Sequence, residues 1–194
     1  MKFFDIDQNS PEWFQLRVGK FTMSSAKTLF SKKTTDTYKK FVSEKAYERI
    51  TGKRNETPTT FWMDRGHEYE RIARKAYMNS EMVWVDDGGF FCNDIIGASP
   101  DGLVGEDGLL EIKCPSIPVH YKYLKDQKLP TIYKEQVLGQ LYVTDRDWCD
   151  FYSYHPDVKQ FLIRVYRDRE WEKVFETKIA EAEIDVLEAI KILK

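Results

Sequence analysis

Apolar positions recur at helical spacing over two stretches of the first half of the chain. Tyr38, Phe41, Val42, Ala46 and Ile50 form a stripe that stops at Gly52, which predicts an amphipathic helix over Tyr38 to Ile50. Met63, Gly66, Glu70, Ala73 and Tyr77 form a second stripe within a helix expected from about Thr60 to Met78. Glu70 is out of keeping there. A carboxylate on an apolar stripe is rarely buried without a partner, so it either turns to solvent or meets a cation. Upstream, Ser10-Pro11-Glu12 reads as a helix start, because Ser can cap, Pro is tolerated in the first turn and Glu suits the positive end of the dipole. Gly19 is its stop, with Trp13, Leu16 and Phe14 facing inward. A further short helix is expected from Ser24 or Ser25, followed by the polar, basic segment SKKTTDT as an exposed loop.

The pattern changes at Met82. The segments MVWV, GFFC, IIGA and LLEIK, separated by Asp-Gly and Gly-Gly turns, predict a strand meander as far as Pro115. Thr131 to Tyr142 returns to helix. WCDFYSY and QFLIRVY read as two strands around a His155-Pro156-Asp157 turn, and a charged helix closes the chain from about Arg169 to Leu193. Helices, strands, helix, strands, helix is the order of an α/β fold with a mixed central β-sheet flanked by helices. No repeat or linker divides the 194 residues, so a single domain over 1–194 is expected.

Composition narrows this only slightly. With 42% hydrophobic and 14% aromatic residues the chain can build one sizeable core. A formal net charge of −2 means that any contact with a polyanion must be local. Cys92, Cys114 and Cys149 lack the paired spacing of a zinc or iron–sulfur site and read as free thiols. No signal-peptide core or membrane-length apolar run is present, which predicts a soluble, cytoplasmic protein without membrane contact. His67, His120 and His155 show no ligand spacing and are expected to be structural or surface residues.

The chemistry concentrates in Ser99-Pro100-Asp101-Gly102 and Glu111-Ile112-Lys113. Alternation along LLEIK puts Glu111 and Lys113 on one face, with Leu110 and Ile112 turned into the core. The GEDG turn between the two segments folds Asp101 back toward Glu111. Asp101 and Glu111, with the backbone carbonyl of Ile112, supply hard oxygen ligands suited to Mg²⁺ with open positions for water and a phosphate oxygen; Mn²⁺ is expected to substitute. Lys113 would orient the attacking water or stabilise developing charge. A lone Glu-x-Lys is more often an ordinary solvated strand face. A Pro-Asp at this distance on the neighbouring strand reverses that preference. Glu70 could supply a third carboxylate, although alone it reads as a surface glutamate; Gln136 could give a hydrogen bond to phosphate or water, or be an ordinary polar helix residue; and Arg17 with Ser24 could form a phosphate pocket, the alternative being an Arg17 pair with a carboxylate such as Glu12.

Four segments in order, WFQLRVGKFTMSS, RGHEYERIA, ASPDG with LEIKCP, and EQVLGQLYVT, resemble phage lambda exonuclease and the YqaJ-type viral recombinases, within the PD-(D/E)xK nuclease superfamily. The resemblance runs over nearly the whole chain and implies a restriction-endonuclease-like fold. It implies that Asp101, Glu111 and Glu70 bind the metal, Lys113 assists catalysis, and Gln136, Arg17, Ser24 and Ser99 contact phosphates, including a terminal 5′-phosphate. It further implies a phage or prophage enzyme of the bacterial host cell that digests one strand of duplex DNA 5′ to 3′ from an end. The 3′ overhang would pass to a single-strand annealing protein, and the enzyme would form a ring of three subunits. The segment ahead of Trp13 is shorter than in the lambda enzyme, and SKKTTDT matches the strand-separating region loosely. A structure-specific or repair endonuclease on the same core is the alternative enzyme, and would open a closed circle as readily as a linear duplex. A catalytically silent DNA-end-binding module is the alternative outside enzymes, with no physical need to keep Asp101, Glu111 and Lys113 together.

Overall fold

A computed structural model describes residues 1–54 and 61–194, with side chains given outside 61–68. The contributions expected of Thr60, Met63, Gly66 and His67 lie outside the described residues. Ser10 caps α1 (Pro11–Arg17), its hydroxyl accepting from the Trp13 N–H at 3.1 Å, with Pro11 at the first helical position. Gly19, at a φ of 71°, turns the chain into β2 (Phe21–Thr22), a 3-10 turn over Met23–Ser25 and α2 (Ala26–Leu29). Thr35 caps α3 (Asp36–Thr51), so this helix begins inside the segment read as a loop. Tyr38, Phe41, Val42 and Ala46 are buried in the main core, which α7 (Arg169–Leu193) covers. Along α4 (Phe61–Glu81), Ala73 and Tyr77 are buried as the stripe requires.

Among the described residues the strands form two four-stranded mixed sheets where one was expected. The first runs β1 (Lys2–Phe4), β3 (Phe90–Cys92), β4 (Ile96–Ala98), β2; the second runs β5 (Gly102–Val104), β6 (Gly108–Lys113), β7 (Trp148–Ser153), β8 (Phe161–Tyr166). Each contains one parallel pair, β2 with β4 and β6 with β7. The break falls at Ser99-Pro100-Asp101, where Pro100 has no N–H to extend a ladder. Gly88 packs against the same point, and a Cβ there would stand 1.8 Å from the Pro100 carbonyl oxygen. MVWV is not a strand. Met82 adopts a φ of 55°, Met82 and Trp84 are largely exposed, and among the described residues the one bridge here is from the following Asp86 to Leu103; alternation without a partner strand makes no ladder. A helix that the periodicity did not announce, α5 (Ile117–Asp126), follows β6 and buries His120 and Tyr123 in place of aliphatic residues.

β6 lies inside the second sheet and is covered on both faces. Leu109 joins the main core with α6 (Lys134–Thr144) and α7, while Leu110 and Ile112 join a second core with Val85, Val104, Tyr77 and Tyr152. Among the described residues no helix is long and apolar enough to cross a membrane. The three cysteines are free.

Candidate active site

The β5–β6 hairpin, turned at Gly105 with a φ of 56°, pairs Gly102 with Leu110 and so brings Asp101 beside the Glu111 segment. One Asp101 carboxylate oxygen accepts the Ile112 N–H at 2.6 Å. The Asp101 carbonyl accepts from Arg74 of α4 at 2.5 Å, and Arg74 also donates to the Asp87 carboxylate at 2.6 Å. Side chain and backbone of Asp101 are therefore fixed from two elements.

Glu111 is only 1% exposed, and its carboxylate is fully engaged. Oε1 accepts from the Lys113 ammonium and from Gln136 Nε2 at 2.5 Å, and Oε2 accepts from Gln140 Nε2 at 2.7 Å. Gln136 and Gln140 stand one turn apart on α6 and present their amides to the same carboxylate. Gln140 escaped the sequence reading, because a helical glutamine ordinarily faces water. Its position four residues after Gln136 was the available signal. Gln140 Oε1 is buried without a hydrogen-bond partner among the described residues.

The electrostatics follow from burial and crowding. Burial, then repulsion from Glu111 and Glu70, push the Asp101 carboxyl well above the ordinary carboxylate range, against the pull of Lys113. Burial works to lower the Lys113 ammonium, yet Glu111 and Asp101 hold it well above its ordinary value, so it stays charged.

The expected phosphate residues converge next to these groups. Arg17 Nη2 lies 3.3 Å from Thr22 Oγ1 and 3.2 Å from Ser24 Oγ, and its guanidinium stacks 4.0 Å from the Trp13 ring centre. Trp13 Nε1 in turn donates to Ser99 Oγ at 2.6 Å, which joins the arginine to the strand end that carries Asp101. Burial and then the nearby Arg54 push the Arg17 guanidinium down to about 10, with Glu48 opposing. A cleft of about 1430 Å³ has Arg17, Ser24, Ser99, Asp101, Glu111, Ile112, Lys113, Glu70 and Gln136 all on its walls. Ile112 reaches Asp101 through its N–H. His120 is a structural residue, bridging Ser153 Oγ and the Lys159 carbonyl at 2.8 Å each.

Comparison with known proteins matches residues 12–147 to the YqaJ-like viral recombinase domain. The chain belongs to the YqaJ-like viral recombinase family. No curated protein matches it. Among solved structures it is similar to the alkaline exonuclease LHK-Exo from Laribacter hongkongensis, at 31% identity and a TM-score of 0.87 over 95% of this chain and 96% of that one. The same enzyme in complex with dAMP gives 32% identity and a TM-score of 0.88 over the same shares. A phage-related exonuclease from Haemophilus somnus 129PT, at 18% identity and a TM-score of 0.72 over 90% of this chain and 96% of that one, shares the fold. For this family member, the mixed α/β architecture and the nuclease fold of the alkaline exonuclease coincide.

Proposed function

We propose that the chain is a Mg²⁺-dependent deoxyribonuclease that digests one strand of duplex DNA from its 5′ end and leaves a 3′ overhang. One observation carries the reading: Asp101, Glu111, Lys113, Glu70 and Gln136 share a single cleft with Arg17, Ser24 and Ser99. The first group suits phosphodiester hydrolysis and the second suits a phosphate held beside it. The likeness to an alkaline exonuclease, solved also with dAMP, supports an enzyme that acts at DNA ends.

The donor set fits a hard divalent cation. Among the described residues no three His, Cys, Asp or Glu side chains are already grouped as a metal site, and Glu111 is turned onto Lys113 and two glutamines. Its oxygen chemistry, and the burial and neighbouring Glu111 and Glu70 carboxylates that raise the Asp101 carboxyl, nevertheless suit Mg²⁺, with Mn²⁺ as a substitute. Asp101, Glu111, Glu70 and the Ile112 carbonyl would hold it. Bound there, the cation supplies Lewis-acid activation of water and of the phosphate. The chain's own contributions are distinct. Lys113 places a fixed positive charge where negative charge develops, and its carboxylate neighbours keep it protonated. Gln136 offers an amide to water or phosphate, while Arg17, Ser24 and Ser99 register the terminal phosphate against the scissile bond. A ring of three subunits, delivery of the overhang to a single-strand annealing protein, and work in the cytoplasm of a bacterial host of a phage or prophage complete the proposal.

The test is digestion of a labelled linear duplex beside a covalently closed circle, with and without Mg²⁺. Release of mononucleotides from the linear duplex alone, and only with the metal, is the expected result. Opening of the circle at a comparable rate would favour a structure-specific endonuclease. Binding to ends without cleavage would leave a silent end-binding module.

A further inference from the structure

The phosphate side of the cleft hangs on one turn. Gly19 joins α1, which ends at Arg17, to β2 and the Ser24 turn, so the spacing of Arg17 and Ser24 is set by how this residue is held. Both backbone polar groups of Gly19 are taken by adjacent side chains of α3. Its N–H donates to Glu48 Oε2 at 2.8 Å, and its carbonyl accepts from Arg49 Nε at 2.8 Å. The remaining arms of Arg49 reach α7, donating to the two Glu183 carboxylate oxygens at 2.7 and 2.8 Å. Lys45 donates to the same Glu48 oxygen at 2.6 Å. The fit is close: a Cβ on Gly19 would stand 2.6 Å from Arg49 Cγ, at a φ of 71° that disfavours any side chain.

Three features distinguish this clasp from ordinary turn stabilisation. A glycine turn on a surface is satisfied by water or by a backbone bond, whereas here two neighbouring charged side chains grip both sides of one peptide. The bidentate Arg49–Glu183 pair is mostly withdrawn from solvent, at 18% and 22% side-chain exposure, which makes it a firm anchor. Finally, Glu48 lies on the cleft wall with Arg17, and its charge favours the guanidinium that burial and Arg54 oppose. Arg49 and Glu183 are not on the cleft wall.

We infer that Arg49, anchored by Glu183, is a positioning residue for the phosphate subsite: through Gly19 it holds Arg17 and Ser24 at the spacing that recognises a phosphorylated 5′ end. The inference rests on the proposed reading of Arg17 and Ser24 as phosphate contacts. Its reach is indirect, since displacement of a positioned group by about 1 Å already costs on the order of a hundredfold.

The experiment measures kcat/KM on two linear duplexes that differ only in a 5′-phosphate or 5′-hydroxyl, together with thermal melting. The proteins are wild type, Arg17→Ala, Arg49→Met, Glu183→Gln and the double variant Arg17→Ala with Arg49→Met. Arg49→Met is expected to lower the phosphate-to-hydroxyl ratio roughly tenfold to a hundredfold. Glu183→Gln, which keeps an acceptor for Arg49, should lower it less and in the same direction; it serves should Arg49→Met fail to fold. The double variant should lose less than the sum of the two single losses, because both substitutions act on the same phosphate contacts. Folded variants that melt earlier but keep the wild-type ratio would overturn the inference and leave the phosphate reading standing. So would additive losses in the double variant. Equal wild-type rates on the two ends, or an unchanged ratio in Arg17→Ala, would overturn the phosphate reading and the inference with it.

Discussion

Removing the Glu111 carboxylate separates the demands of chemistry from those of folding. Glu111→Ala takes the acceptor from Lys113, Gln136 and Gln140 at a site that is 1% exposed. Breaking a fully buried ion pair from one side costs about 3–5 kcal/mol. The Lys113 side chain is 25% exposed, so water screens part of this and leaves roughly 1–2 kcal/mol. Each amide left without an acceptor adds about 1 kcal/mol. Relief of Asp101, which Glu111 repels, acts in the opposite direction, for a net destabilisation of about 2–3 kcal/mol. Glu111→Gln behaves differently. Its carbonyl oxygen still serves Lys113 and Gln136, and Gln140 can turn its unpartnered Oε1 to accept the new amide, so stability stays within about 1 kcal/mol of wild type. Both variants should lose DNA cleavage. Urea unfolding in EDTA, with slopes compared to confirm a common unfolded state, and digestion of a labelled duplex check the two halves. An alanine variant as stable as wild type, or a glutamine variant that still cleaves, would refute the reasoning.

Asp101 should respond to pH. Because its carboxyl is held well above the ordinary range by burial and then by Glu111, the folded metal-free protein keeps this proton longer than the unfolded chain. Its contribution to stability is present at acid pH and is lost as pH rises through the raised folded value. In EDTA, Asp101→Asn is therefore expected to gain stability over wild type as pH rises; an advantage that instead grows on acidification would contradict this. Lys113→Ala should slow cleavage by about 10²–10³ while DNA affinity falls by less than about tenfold, since one lysine is a small part of a phosphate-binding surface; equilibrium binding in EDTA alongside single-turnover cleavage separates the two. Gln140→Leu, which removes one of the donors that orient Glu111, should slow cleavage by roughly tenfold, and an unchanged rate would dismiss the residue. Sedimentation should give the mass of three chains of 23.0 kDa each, and a monomer that still digests long duplexes processively would exclude the ring.

The α3 stripe was legible because Tyr38, Phe41, Val42 and Ala46 all pack inward, and period alone reports that. The hairpin that joins Asp101 to the Glu111 strand was legible as well, since the GEDG turn and the strand alternation are local features. What escaped is non-local. The division into two sheets falls where Pro100 packs against Gly88, and MVWV has no strand to pair with among the described residues. α5 was hidden because its buried face carries His120 and Tyr123, which read as polar, although Ser116 and Pro118 marked its start. In the site, Asp101, Glu111 and Lys113 announce themselves by spacing. Gln140, Arg74 and the Glu48–Arg49 clasp act through contacts 27 to 30 residues away in sequence, and such contacts leave no periodic trace.

The most direct measurement of the central claim follows both ends of one strand in time. Wild-type protein and Asp101→Asn are incubated with Mg²⁺ and a 5′-phosphorylated linear duplex labelled in separate preparations at the 5′ or the 3′ terminus. The account predicts that wild type releases the 5′ label early as a mononucleotide while the 3′ label remains in long strands, and that EDTA or Asp101→Asn stops the release. Early loss of the 3′ label, or release that survives EDTA or the substitution, would contradict it.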